Sequence, residues 1–117
     1  MIIKKMTDGR PFDMGLGDTR NVIGPEDGAE KITFNYAKFD PNVAFAQHVH
    51  DDSEDLIMVL EGDGVTRLDD KEFPIEAGDI IHVSAGEFHG TVAGPNGLTA
   101  VSCQAPPDRK LLAGERA

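Results

Sequence analysis

Three of the four histidines of this chain, His48 and His50 in the segment His48-Val49-His50 and His89 at the end of the run GDIIHVSAGEFH, fall where two spaced strands would place them, and the fourth, His82, lies within that run. Side chains alternate along a β-strand with period two, so His48 and His50, one residue apart, direct both imidazoles at one point. A third imidazole and a carboxylate brought in from neighbouring strands would complete a nitrogen and oxygen donor set suited to a divalent transition metal. Such an ion keeps one to three positions for water, dioxygen or a bidentate substrate, and an open position separates a working site from a closed structural one. Iron beside dioxygen and a bound enolate or catecholate would give oxidative cleavage. Manganese, nickel or zinc in the same ligands would polarise a carbonyl for isomerisation, decarboxylation or lyase chemistry. The ligand types do not choose among these four metals, because cellular availability decides loading.

The elements that must position these groups are short and β-rich. Runs with strand character are KITFNYAKF (31–39), VAFAQHVH (43–50), DLIMVLEG (55–62), VTRL (65–68), EFPI (72–75), DIIHVS (79–84), HGTVA (89–93) and LTAVSCQ (98–104), with a further strand around Arg20 to Ile23. Their separators, among them Asp40-Pro41-Asn42, Asp51-Asp52-Ser53, Gly62-Asp63-Gly64 and Gly94-Pro95-Asn96-Gly97, carry turn chemistry. Nothing repeats with a helical period. The spacing predicts an all-β domain of two packed sheets.

The residues around the histidines resemble the two motifs of the cupin family. His48 and His50 stand on register in the first, with Gly62 closing it, Asp55 in the glutamate position and Asn42 where the motif has its first glycine. Gly78, Gly86 and His89 match the second, with Ser84 in place of its proline and Ala93 in place of its asparagine. The resemblance covers roughly residues 31–104 and implies a double-stranded β-helix, or jelly-roll barrel, within a single domain spanning 1–117. Residues 1–30 then form an N-terminal loop and strand, and 105–117 a polar tail. It implies one divalent metal ion held by His48, His50, His89 and a carboxylate. Counting back from Gly62 along an unbroken strand selects Asp55, whereas continuing the strand from His50 selects Glu54. Asp is one methylene shorter than the usual Glu, so if it fails to reach, three histidines remain with more positions open.

The leading expectation is a small metal-dependent enzyme, a dioxygenase-type oxidoreductase acting on a small enolizable or aromatic acid. A metal-dependent isomerase, decarboxylase or lyase, and a non-catalytic module binding a sugar or carboxylate, stay open beside it. His82, Tyr36 and Gln47 are the candidate catalytic residues, with Phe45 and Gln104 also placed on barrel strands. His82 sits between Ile81 and Val83 and reads as a partly buried strand residue or a pocket donor.

Charge narrows the partners. With 21 acidic against 11 basic residues among 117, the net charge is −10, which repels nucleic acid and anionic membrane surfaces. The segment MIIKKMTDGR has no signal-peptide core, so the expected location is the cytoplasm. One cysteine, Cys103, fits a reducing compartment and reads as an inert strand residue. The run 55–62 is apolar on both faces, so its outer face must meet either a second subunit, in a homodimer, or the loop 7–30 of its own chain. Gly15-Leu16-Gly17 lacks a third glycine and reads as loop, and Asp51-Asp52 and Asp69-Asp70 read as solvated turns.

Overall fold

The computed structural model describes residues 1–12 and 17–113. Its strands are β1 (Arg10–Pro11), β2 (Asp18–Ile23), β3 (Thr33–Phe39), β4 (Glu54–Leu68), β5 (Lys71–Glu76), β6 (Ile80–Val83) and β7 (His89–Ala105), followed by one helical turn, α1 (Arg109–Leu112). They join in the order β1-β2-β3-β7-β4-β5, with β6 following β5 along the edge of β4 that faces away from β7, and every pairing is antiparallel. The all-β barrel expected from the sequence is present, and no helix of the described residues is long and apolar enough to cross a membrane.

β4 and β7 organise the fold, because each is one long strand where the sequence suggested two. Glu54–Gly62 pairs with Leu98–Ala105, and Gly64–Leu68 pairs with His89–Ala93, with register shifts at Val59/Glu61 and Gly62/Gly64. The glycine clusters read as turns are bulges within continuous strands, a role glycine also takes in sheets. Gly62 has φ +81°, and a β-carbon there would lie 2.1 Å from the Gly97 carbonyl oxygen, so the two backbones meet at the bend. Each long strand thereby serves both halves of the barrel.

The segment 43–50 departs most from expectation. It makes isolated bridges, Ala44 to Val92 and His48 to His89, and forms no continuous strand. The Phe45 amide bonds the Thr91 carbonyl at 2.8 Å, and His48 and His89 exchange two backbone hydrogen bonds at 2.8 and 3.0 Å. Pairing is kept at the ends while Gln47 turns its amide to the Asp69 carbonyl at 2.9 Å. The turn at its start holds Asn42 at φ +63°, a left-handed conformation that asparagine tolerates better than most residues and that accounts for its standing at a motif glycine.

Phe39, Phe45, Val59, Ile75, Ala93, Leu98 and Ala100 form the buried apolar core, with Ala37, Val43, Ile57 and Ile81 against it. Inward alternation then sets a polar row at one end, where Thr33, Gln104 and Asp55 lie opposite one another on three adjacent strands, with Val83 beyond Asp55 on the fourth. The N-terminal strands are fastened by polar contacts. Asn21 donates to Thr33 and Asn35, and Arg10 and Lys4 grip Asp27, whose carboxyl they hold far below its ordinary range. Gly15 and Leu16, and the tail beyond Ala113, lie outside the described residues.

The outer face of β4 is left open. Leu56 and Met58 are 50% and 40% exposed, so the described residues of the 7–30 segment do not cover them. Cys103 lies opposite Leu56, half-buried, its thiol pushed up by burial.

Because the bend depends on backbone contact, Gly62→Ala should destabilise the chain by about 2–4 kcal/mol, from the left-handed strain and the clash together. Asn42→Gly should change stability by less than about 1 kcal/mol, since its conformation suits glycine. Urea unfolding of both variants checks this, and equal midpoints would remove the bend from its central place.

Candidate metal centre

His48 enters the barrel from the bridge to β7, His50 lies two residues on, and His89 is the first residue of β7. All three are buried, at 8%, 2% and 4% exposure. One ring nitrogen from each lies within 4.8 Å of the others. The His48 and His50 Nε2 atoms are 3.1 Å apart. Two imidazoles bound to one ion at ~2.1 Å and at ~90–110° to each other would have nitrogens roughly 3.0–3.4 Å apart, so this spacing fits a shared ion.

What turns these nitrogens inward is the other side of each ring. His48 Nδ1 donates to the Ala46 carbonyl at 3.1 Å, His89 Nδ1 to the Glu87 carbonyl at 2.8 Å, and His50 Nδ1 to Asp108 Oδ2 at 2.6 Å. Carbonyl and carboxylate oxygens only accept, so each Nδ1 carries the proton and each Nε2 presents a lone pair. Burial, with the neighbouring His89 second, lowers the His48 pKa to about 4, and burial lowers that of His89 as well. Both rings are therefore neutral near pH 7. Lone pairs facing one another at this distance repel unless a proton or cation lies between them, and the donor set suits a divalent transition metal.

Asp55 faces inward from β4 and is 4% exposed. Its Oδ2 is 3.7 Å from His50 Nε2 and accepts a hydrogen bond from Gln104 Nε2 at 3.4 Å. Asp55 Oδ1 and Gln104 Oε1 are both buried without a partner. Burial, against the opposing pull of His50, raises the Asp55 pKa. The three imidazoles form the compact donor cluster, and Asp55 stands beside it. Glu54 points the other way, where it is exposed and takes His82 Nε2 at 2.9 Å.

That pairing places His82 on the outer surface with its side chain 52% exposed, away from the histidine centre. The inward residues of its strand are Ile81 and Val83. Gln47 is likewise turned away, to Asp69. Tyr36 alternates with the inward Asn35 and Ala37 and lies across from Val101, in the register row that contains the exposed Met58. His82 and Gln47 are not brought to the histidines, whereas Tyr36 is among the residues lining the cavity beside them. Phe45 is close, with its ring centroid 4.6 Å from that of His48 in an edge-on contact.

Beside the imidazoles lies a cavity of about 80 Å³ whose lining includes Phe45, Ile57, Asp55, Gln104 and Leu111. No lysine or arginine is among its described lining residues. Its closure comes from a segment read from sequence only as a polar tail. Ser53 Oγ donates to the Pro106 carbonyl, Asp108 Oδ1 accepts from the Lys110 and Leu111 amides at 3.1 Å each, and Leu111 is buried at 5% exposure. The signal for this element was Pro107-Asp108 followed by Arg-Lys-Leu-Leu, an N-cap residue before a helical turn.

Comparison with known proteins agrees with this geometry. The cupin-domain model matches residues 35–98, more than half of the chain. The dimethylsulfoniopropionate lyase DddW of Ruegeria pomeroyi is 33% identical over 77 residues, 66% of this chain and 50% of the lyase, so the chain spans half the length of that relative. The polyketide cyclase RemF of Streptomyces resistomycificus superposes with a TM-score of 0.77 at 27% identity, over 99% of this chain and 81% of the cyclase. An RmlC-like cupin of Shewanella frigidimarina superposes with a TM-score of 0.78 at 18% identity, over 95% and 96% of the two chains, a likeness of fold. Enzymes thus stand among its relatives, and the chain belongs to the cupin family.

Proposed function

We propose that this cupin is a metal-dependent enzyme that moves a proton on a small carboxylate or carbonyl compound, as a lyase or isomerase does. His48, His50 and His89 hold the metal, and Asp55 takes the proton. The observation that carries the reading is the unpartnered Oδ1 of a buried Asp55 next to three convergent imidazoles. A divalent ion held there supplies Lewis-acid polarisation of a bound oxygen. Phe45, Ile57 and Leu111 give the cavity an apolar wall, and burial raises the pKa of Asp55, which makes its carboxylate a stronger base. Gln104 Nε2 steers Oδ2 and leaves Oδ1 free for the proton. With no basic residue among the described lining, the ion is the positive charge that an anionic substrate meets. Names among the relatives, a lyase and a cyclase, support chemistry of this kind.

Dioxygenase chemistry on an enolizable or aromatic acid is the second reading. It is favoured by the three-nitrogen cluster, which leaves more coordination positions open than a set completed by a carboxylate. The two readings separate in one assay, solvent deuterium incorporation into small carboxylates under argon against oxygen uptake in air. Metal-dependent exchange without oxygen supports proton transfer, and uptake without exchange supports the dioxygenase.

The substitutions follow from the geometry. His50→Ala and His89→Ala should each lose stoichiometric metal, and Glu54→Ala should keep it. Asp55→Asn should keep metal but lose turnover by about 100-fold or more, the scale of a general base. Metal loss in Asp55→Asn would make the carboxylate a ligand instead.

In the metal-free chain, His48 and His89 have folded pKa values below the unfolded value, so the unfolded chain binds protons first as pH falls. The His48 contribution is present above pH ~6.5 and is lost on descent towards about 4, and that of His89 is lost in the same direction. The metal-free Tm should fall by more than about 5 °C between pH 7 and pH 4.5, and His48→Phe should flatten that slope. A slope unchanged by the substitution would show that His48 is not held neutral.

We also propose that the open β4 face pairs two copies in a homodimer. Leu56, Met58 and Ile80 form an exposed apolar group on adjacent strands, with Met58 opposite Ile80, and a flat sheet face can be self-complementary about a two-fold axis. Light scattering should give twice the chain mass, and Met58→Glu should give the single-chain mass.

A further inference from the structure

We propose that Asp108 is a positioning residue that ties the metal ligand His50 to residues 106–113, the C-terminal strap over the cavity, so that metal binding and strap docking strengthen each other. The inference rests on the metal reading above.

The three imidazoles solve the same problem in two ways. His48 and His89 each donate Nδ1 to the carbonyl two residues before them, Ala46 and Glu87. For His50 the equivalent carbonyl belongs to His48, and it is engaged by the His89 amide at 3.0 Å in the bridge that joins the segment to β7. His50 instead reaches Asp108, 58 residues away in sequence. The strap therefore supplies an orienting group that the barrel does not.

One carboxylate performs two tasks. Oδ2 takes the imidazole proton of His50, fixing Nε2 as the lone-pair atom, while Oδ1 caps α1 by accepting from Lys110 and Leu111. The cap holds α1 in place, and α1 carries Leu111 onto the cavity. A cation on Nε2 acidifies Nδ1–H and strengthens its bond to the carboxylate, which is how an outer acceptor tunes a metal-bound histidine. Linkage makes this reciprocal: whatever the ion adds to strap docking, docking adds to ion affinity.

The test uses cobalt(II) alone on the full chain, with two readouts, cobalt affinity by competition with a chelator and amide hydrogen exchange at Leu112 and Ala113. Those amides bond the Asp108 and Arg109 carbonyls and report α1 without involving a side chain. Asp108→Ser keeps a capping oxygen but is too short for His50. It should bind cobalt 10–100-fold more weakly, the usual scale for loss of such a partner. In the wild-type chain cobalt should slow exchange at Leu112 and Ala113, and in Asp108→Ser it should leave that exchange unchanged. If the serine variant has lost protection in α1 before metal is added, Asp108→Asn carries the test, with the same weakening expected. Wild-type cobalt affinity in either folded variant, or wild-type exchange indifferent to cobalt, would overturn the inference. A wild-type chain that binds no cobalt would overturn the metal reading and this inference with it.

Discussion

The centre depends on where three protons sit. Each imidazole has an oxygen acceptor at Nδ1, so each presents an unprotonated Nε2 to the same small volume. Nothing about three nearby histidines guarantees this, since an imidazole with its tautomer reversed is a donor at Nε2 and cannot ligate. Two of the acceptors are backbone carbonyls whose positions are set by the His48–His89 bridge, which in turn needs β7 to begin at His89. Strand pairing, ring tautomer and donor convergence are successive consequences of one register.

That register leaves the carboxylate in an intermediate position. Asp55 is inward because it alternates with Glu54 and Leu56 on β4, and it faces Gln104 because β4 and β7 pair there without a shift. Its length decides what it does next. At 3.7 Å from His50 Nε2 it neighbours the donor cluster without joining it, and burial makes its charge costly. A glutamate would extend one methylene further toward the same point. The substitution of Asp for the family's usual Glu is thus a chemical difference that the fold itself does not register, which is why barrels alike in backbone can host unlike reactions.

Period and spacing made the histidines legible from sequence, because His48 and His50 need only alternate and His89 needs only to start a strand. The same logic selected Asp55 over Glu54, and the structure places Asp55 inside and Glu54 outside. Where it failed, the missing information was nonlocal. Gly62 and Gly97 read as turn residues, since sequence does not reveal that their backbones meet across two strands. His82 read as a partly buried strand residue or a pocket donor, and not as an exposed one, because an outward-facing strand histidine and an inward one have the same local sequence. Asp108 was invisible as an orienting group, because no local pattern connects a capping aspartate to an imidazole far back in the chain.

The polar end of the barrel is also its least self-sufficient part. Asp55 Oδ1 and Gln104 Oε1 are buried without partners, and an unsatisfied buried acceptor costs about 1–3 kcal/mol. Two buried imidazoles held neutral against their ordinary pKa add to this burden as pH falls. The apolar core around Phe39, Phe45 and Val59 carries that load, since it buries apolar surface directly against the polar site. A ligand able to accept three lone pairs, or to donate to the two orphaned oxygens, would relieve the strain and bind the folded state alone. The chemistry that makes this end of the barrel costly to fold is therefore the same chemistry that gives it something to bind.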